Sequence, residues 1–329
     1  MAAAERGAVL VAGGAGFIGS HVCKALAAEG YMPVTIDNLT TGYADAVRWG
    51  PLHVGDIADR VLVGDLLDRY PVVGAMHFAA FSQVGESMRE PVKYFMNNVA
   101  AATQFASALM DGGVEALVFS STAAVYGEPV TPKILEHHPL KPINPYGASK
   151  LAFEMFLHGA GAATGLRYAC LRYFNAAGAD EAGEIGESHE PETHLIPLVC
   201  KAVLGTGPAL TLFGEDYDTP DGTAVRDYVH VADLADAHLL ALERLISGGA
   251  SGTWNIGVGN GYSVRQVVET AAQVLQKPVP HVMGPRRPGD PPSLVANGDA
   301  IRRDLGWRPK RDLADMIRSA AAWQQARPY

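Results

Sequence analysis

Residues 8–20 read Ala8-Val9-Leu10-Val11-Ala12-Gly13-Gly14-Ala15-Gly16-Phe17-Ile18-Gly19-Ser20, an apolar run that passes directly into glycines. The pattern predicts a strand, a tight turn and a helix. Gly14, Gly16 and Gly19 fit the spacing G-x-G-x-x-G, in which glycine permits the turn, the approach of backbone to a pyrophosphate, and close helix packing. The amides that open the helix would face the phosphates. A second apolar run, Pro33-Val34-Thr35-Ile36, ends in Asp37, about 20 residues on, where an acid hydrogen-bonds adenosine ribose hydroxyls. A carboxylate there repels a 2′-phosphate, so the expected cofactor is NAD and not NADP.

The surrounding chain has 329 residues, enough for a substantial core in one large or two intimately joined domains. A composition of 48% hydrophobic and 19% charged residues is that of an ordinary globular protein. A net charge of -9 with no basic stripe argues against nucleic acid or an anionic membrane as the main partner. Cys23, Cys170 and Cys200 are odd in number and sit in apolar segments, which predicts reduced, buried thiols. The start, Met1-Ala2-Ala3-Ala4-Glu5-Arg6, lacks a signal-peptide charge pattern, and the first apolar run is too short to span a bilayer, so a cytoplasmic location is expected.

Strand-length apolar segments recur at Val34–Ile36, Leu52–Val54, Val72–Phe78, Ala116–Phe119 and Tyr168–Tyr173, separated by helical patterns that include Pro91–Met110 and Pro145–Ala163. Such alternation predicts an α/β fold with a doubly wound parallel Rossmann sheet. The stretch Asn175–Thr193 is polar and glycine-rich, and a helix near Leu195–Leu204 and a strand near Leu210–Phe213 follow. The pattern then reverts, with a helix over Val231–Ile246 and a buried strand at Thr253–Ile256 that could rejoin the first sheet. A helix over Ser263–Leu275, a loop at Gly284–Pro292 and a helical region near Ala300–Ala326 complete the chain. The expected division is a Rossmann domain over 1–174, rejoined by about 229–257, and a smaller, interleaved lobe from 175–228 and 258–329.

Two further stretches carry chemistry. The strand ending at Phe119 runs into Ser120-Ser121-Thr122, placing hydroxyls at a strand's carboxyl end, where ligands bind in such folds. Asn144-Pro145-Tyr146-Gly147-Ala148-Ser149-Lys150 sets Tyr146 and Lys150 on one helical face, with Asn144 as cap and Pro145 at the first position. Tyrosine titrates near about 10 and is a poor base at neutral pH. A neighbouring ammonium and the helix N-terminus both favour the phenolate, making a usable general base.

A Tyr-x-x-x-Lys pair with an upstream Ser/Thr and an N-terminal glycine turn resembles the extended short-chain dehydrogenase/reductase superfamily, and within it the UDP-glucose 4-epimerase family, over essentially the whole chain. Also similar are Asp37-Asn38-Leu39, Gly55-Asp56-Ile57, His77-Phe78-Ala79-Ala80, Val84-Gly85-Glu86-Ser87, Arg172-Tyr173-Phe174-Asn175, Asp221 to Tyr228 and Arg286-Arg287-Pro288-Gly289-Asp290. The resemblance implies NAD on Gly13, Gly16, Phe17, Ile18, Gly19, Asp37, Asn38, Asp56, Ile57, Phe78, Ala79, Ala80, Ser82, Asn97, Tyr146, Lys150 and Phe174. It implies a UDP-sugar substrate in the smaller lobe, with Asn175, Arg226 and Arg287 on the diphosphate, Leu195, Thr211, Leu212, Phe213 and Tyr228 around uridine, and Asp290 on its ribose. Guanidinium forks suit diphosphate. Thr122, His194 and Leu294 would border the sugar. Ser82 stands where well-known bacterial members have lysine, and His194 where they have asparagine. A homodimer joined through the helices carrying Asn97 and Tyr146 is implied as well.

The implied reaction interconverts UDP-glucose and UDP-galactose through a transient 4-keto sugar, with Tyr146 as base, Lys150 sustaining the phenolate and Thr122 hydrogen-bonded to the reacting oxygen. UDP-N-acetylhexosamines or UDP-pentoses are alternative substrates. Nucleotide-sugar 4,6-dehydratases share Tyr and Lys but need an acid/base pair beside the Thr, and Thr122-Ala123-Ala124 has none. A non-catalytic NAD-sensing regulator is a further alternative on the same fold. Glu187, His189, Glu190, Glu192 and His194 lie in a polar loop without a recognised ligand spacing, so no metal is expected. His137-His138 reads as a solvated loop, and Trp254 and Trp307 as packing residues.

Overall fold

A computed structural model describes residues 6–287, 290–326 and 329; Met1–Glu5 and the Pro288-Gly289 part of the loop quoted above lie outside the described residues. Seven strands form one parallel sheet in the order Gly252–Ile256, Arg167–Tyr173, Ala116–Thr122, Val72–His77, Ala8–Ala12, Met32–Asp37, Leu52–Val54. Strand order reverses on either side of Ala8–Ala12, the doubly wound arrangement expected from the alternating pattern.

Side-chain alternation along each strand divides the core between two faces. Val9, Val11, Val118 and Leu171 pack on the helices Phe17–Ala28 and Val231–Ile246 through Val22, Leu26, Leu234 and Leu242. Ala8, Leu10, Leu117 and Phe119 pack on Arg60–Arg69, Ala102–Asp111 and Pro145–Thr164 through Leu66, Phe105, Phe153 and Leu157. A third cluster, including Ile196, Val199, Leu212, Val267, Met316 and Ile317, draws together the helices Leu195–Leu204, Val264–Leu275 and Leu313–Ala326. Gly252–Ile256 pairs with Arg167–Tyr173, so the chain returns to the main sheet after visiting that third cluster.

Several expectations are corrected. The helix expected over Pro91–Met110 is α-helical at Pro91–Phe95 and Ala102–Asp111 but π-helical over Met96–Ala101. The last helical region is two helices, Asp299–Leu305 and Leu313–Ala326, because Gly306 turns left-handed at φ +68° and Pro309 follows. Asn175–Thr193 is less polar in place than in sequence: it opens with the strand Asn175–Ala177 and buries Ala177, Ala179 and Ile185. His138 is buried, accepts a hydrogen bond from the Val130 N–H at 3.1 Å and packs edge-on against Tyr126. The three cysteines are free and buried, and Trp254 and Trp307 are core residues, as expected.

Candidate active site

The site is assembled at the carboxyl ends of the parallel strands, beginning with the glycine turn. Gly13 holds φ +82°, and a Cβ there would strike the Ala79 backbone nitrogen at 2.5 Å; a Cβ on Gly19 would meet the Gly13 carbonyl oxygen at 2.2 Å. A Cβ on Gly14 would lie 2.5 Å from the Thr35 hydroxyl oxygen, so Gly13, Gly14 and Gly19 have no room for a side chain. At Gly16 a Cβ would meet only the Gly13 carbonyl oxygen, at 3.4 Å, so room is left above the helix N-terminus for an anionic group.

The neighbouring strand ends deliver the other expected cofactor residues to the same edge. Asp37 is buried; its carboxylate accepts from the Ala15 N–H at 3.0 Å and the Leu39 N–H at 2.9 Å, while burial pushes its pKa up. Asn38 folds its carbonyl onto Thr40, and Asp56 accepts from the Ala58 N–H at 2.8 Å beside buried Ile57. Phe78 and Ala79 both donate backbone N–H groups to the Ala12 carbonyl, fixing their strand end against the glycine turn. Ala80 is half-buried and Ser82 exposed. Asn97 donates to Asn98 at 2.9 Å; Asn98, absent from the sequence reading, is the buried member and binds both backbone groups of Phe81 and the Ser149 hydroxyl.

The Tyr146 helix is placed with little freedom. Asn144 caps it by accepting from the Gly147 N–H at 2.8 Å, a contact worth about 1 kcal/mol. A Cβ at Gly147 would lie 2.4 Å from the Ala124 carbonyl oxygen, so only glycine lets this helix approach the turn after Thr122 so closely. Tyr94 packs edge-on against the Tyr146 ring at 6.4 Å, and Thr122 at the facing strand end accepts from the Ala124 N–H at 3.1 Å. Lys150 is buried, with Nζ donating to the Ser120 carbonyl at 2.8 Å and lying 4.9 Å from the Phe119 ring centre. Burial pushes its pKa down to about 7, partly opposed by Glu154. Burial raises the Tyr146 pKa and Thr122 lowers it. One of the three Lys150 ammonium donors is thus taken up by a backbone carbonyl.

Behind the pair lies a network that sequence reading missed. Glu154, one turn beyond Lys150, accepts from the Ser121 hydroxyl and from Arg172 Nε at 2.9 Å. Arg172 also donates to the Tyr126 hydroxyl at 2.9 Å, which donates to Asn255 at 2.7 Å. The signal was available, since Tyr146, Lys150 and Glu154 recur every four residues along one helical stripe.

The expected UDP residues follow in the second half of the chain. Asn175 and Tyr228 are register partners, and Asp227 accepts from the Val258, Gly259 and Ala296 N–H groups at 2.8 to 3.0 Å. Arg226 donates to Asp290 at 2.8 Å, so two of the expected UDP residues are brought together. Arg287 lies exposed with its guanidinium 4.1 Å from the Phe213 ring centre; Thr211, Leu212 and Phe213 run parallel to Val282, Met283 and Gly284. Phe174 and Leu294 pack on one small cluster with Ala123, Val125 and Tyr126, immediately after Thr122. His194 caps the helix that begins with Leu195, but its Nδ1 is 2.5 Å from a Glu187 carboxylate oxygen. Burial works against charge on that ring, yet Glu187 prevails and holds its pKa up at about 9.

A model of the NAD dependent epimerase/dehydratase family matches residues 9–257. UDP-glucose 4-epimerase of Azospirillum brasilense is 51% identical over 320 residues, 97% of this chain and 92% of that protein. The crystal structure of UDP-glucose 4-epimerase from Brucella ovis in complex with NAD superposes with a TM-score of 0.93 at 47% identity, covering 95% of this chain and 97% of that one. The enzyme of the same name from Bifidobacterium longum, in complex with NAD+ and UDP, matches with a TM-score of 0.92 at 34% identity over 98% and 99% of the two chains.

Proposed function

This chain belongs to the NAD dependent epimerase/dehydratase family, and from that premise we propose that it interconverts UDP-glucose and UDP-galactose by NAD-dependent epimerisation at carbon 4. The observation that carries the reading is the Thr122-Tyr146-Lys150 set at the strand ends beside a glycine turn whose open side fits a pyrophosphate. Asp37 offers a carboxylate at the end of the second strand, as an adenosine ribose requires. NAD, when bound, supplies hydride acceptance and return at carbon 4. The protein's own groups handle the proton: Tyr146 takes it from the carbon-4 hydroxyl and returns it to that same oxygen after the 4-keto sugar has turned its other face, and Thr122 hydrogen-bonds this oxygen. Lys150 holds the nicotinamide ribose side and keeps positive charge near the phenolate. Arg226, Arg287 and Asn175 clamp the diphosphate, and Asp290 takes the uridine ribose once Arg226 releases it. Ala123 and Ala124 provide no acid to expel water, which separates this site from a dehydratase.

The same proposal assigns the dinucleotide to 1–174 with 229–257 and the UDP-sugar to 175–228 with 258–329, a division supported by the separate third core cluster. It includes a homodimer, supported by the exposed apolar side chains Met88, Val92, Phe95, Met96 and Met155 on the adjoining helices of the Asn97 and Tyr146 segments. No helix among the described residues is long and apolar enough to cross a membrane, and the cytoplasm remains the proposed location. Incubating the protein with a UDP-sugar panel and separating products by chromatography tests the function; no conversion of UDP-galactose to UDP-glucose refutes it. Denaturing the protein should release NAD(H), and release of mainly NADP(H) would refute the role given to Asp37.

A further inference from the structure

Glu187, His189, Glu192 and His194, scattered through a polar loop in the sequence, converge in the fold. Each offers one ligand atom, and these four atoms all lie within 4.8 Å of one another. Two of the groups are deeply buried carboxylates: the side chains of Glu187 and Glu192 are 4% and 3% exposed. Glu187 Oε1 faces the Nδ1 atoms of both His194, at 2.5 Å, and His189, at 3.1 Å. Glu192 Oε1 accepts from the backbone N–H groups of Thr193 and His194 at 2.7 and 2.9 Å. Its other oxygen, Oε2, is sealed from solvent and has no hydrogen-bond partner.

A buried carboxylate oxygen without a partner is costly, and two carboxylates in one pocket repel. A divalent cation answers both, with the imidazoles serving as neutral nitrogen ligands. We propose that these four side chains form a binding site for a divalent transition metal of the zinc type. The mixed donor set of two imidazole nitrogens and two carboxylates suits zinc and its neighbours, whereas calcium and magnesium prefer oxygen alone. Ligand atoms about 2.0–2.1 Å from a tetrahedral zinc stand about 3.3 Å apart, so the present cluster closes by small side-chain rotations. The backbone is already braced: the Trp323 indole N–H donates to the Glu187 carbonyl at 2.9 Å. A bound ion would tie this loop to the start of the Leu195–Leu204 helix, and its role is structural.

The test uses untagged protein with its resident dinucleotide, treated with chelator, dialysed and titrated without UDP-sugar, so its outcome is independent of the epimerase reading. Calorimetric titration with Zn2+ should saturate at one ion per chain with micromolar or tighter affinity. His189→Ala and Glu192→Gln, chosen because neither is assigned to substrate, should each weaken binding by more than about tenfold while the far-ultraviolet dichroism is unchanged. Should a variant fail to fold, Co2+ added to the wild type decides. A visible d–d band of tetrahedral nitrogen and oxygen ligation, abolished by excess Zn2+, supports the site, and its absence overturns it. Failure to saturate at one ion, or undiminished binding in a folded His189→Ala/Glu192→Gln double variant, also overturns it.

Discussion

Tyr146 shows how far a residue's setting departs from its task. Its hydroxyl is within reach of Thr122, but burial raises its pKa, and Lys150 is turned to the Ser120 carbonyl. Tyr146→Phe should leave the dichroism spectrum and NAD content unchanged and lower kcat by about a hundredfold or more, the scale of a lost general base; steady-state kinetics with UDP-galactose would reveal a base located elsewhere through near-normal turnover. Glu154 carries a different kind of burden. It neutralises buried Arg172 and holds Ser121, whose neighbours Ser120 and Thr122 contact Lys150 and Tyr146. Glu154→Ala leaves a buried guanidinium without its counter-ion, a change that costs about 3–5 kcal/mol. Denaturant titration should show that loss, and Glu154→Gln, which keeps an acceptor for Ser121, should recover part of it.

At the scale of elements, legibility followed periodicity. The strands Ala8–Ala12 and Leu52–Val54 and the helices Leu195–Leu204 and Val231–Ile246 fall where apolar spacing puts them, because packing against a sheet imposes that spacing. What escaped was set by contacts distant in sequence: the π-helical turn at Met96–Ala101, where Asn98 reaches Phe81 and Ser149, and the burial of His138 beneath Tyr126. The convergence of Glu187, His189, Glu192 and His194 escaped although they span only eight positions, because it depends on the path of a loop with no regular period. The placing of Tyr146 and Lys150 on one helical face was legible because their spacing is local, whereas the direction of the Lys150 side chain was not. The strand Ser293–Leu294 belongs to the distant kind. It pairs with Val225–Arg226, which sets Leu294 beside the cluster that holds Phe174. Leucine is smaller than tyrosine and carries no hydroxyl, so a sugar pocket bordered by Leu294, as proposed, would have room beyond simple hexoses. Leu294→Tyr should abolish conversion of UDP-N-acetylglucosamine while preserving UDP-glucose conversion. A wild type inert toward acetylated sugars, or a variant that still accepts them, removes Leu294 as the gate.

Across the whole molecule, burial pushes the pKa of four histidines down, and this sets its response to acid. Desolvation pushes His21, His230 and His238 down to about 4 and His77 to about 3. His77 has neither nitrogen partnered and sits among Phe105, Phe119 and Phe153, and the Nε2 atoms of His21 and His238 are likewise sealed without partners. His230 accepts from the Ala232 N–H through Nδ1, a bond that protonation would break. Each folded pKa lies below the unfolded value of about 6.5, so as pH falls the unfolded chain takes up protons first. The stability these rings contribute is complete above that value and drains away between about 6.5 and 4, where the folded rings begin to titrate. Between pH 6.5 and 5.5 the loss is about 1 kcal/mol per ring, or about 4 kcal/mol together, a large part of the roughly 5–15 kcal/mol typical of a domain. Denaturant midpoints measured at half-unit steps should therefore fall steeply across this window. His77→Phe removes one titrating ring from a pocket already lined with phenyl groups, and should flatten the pH dependence by about one proton without altering the midpoint slope at neutral pH. An unchanged dependence in that variant would mean that the ring takes up its proton as readily in the folded state as in the unfolded chain.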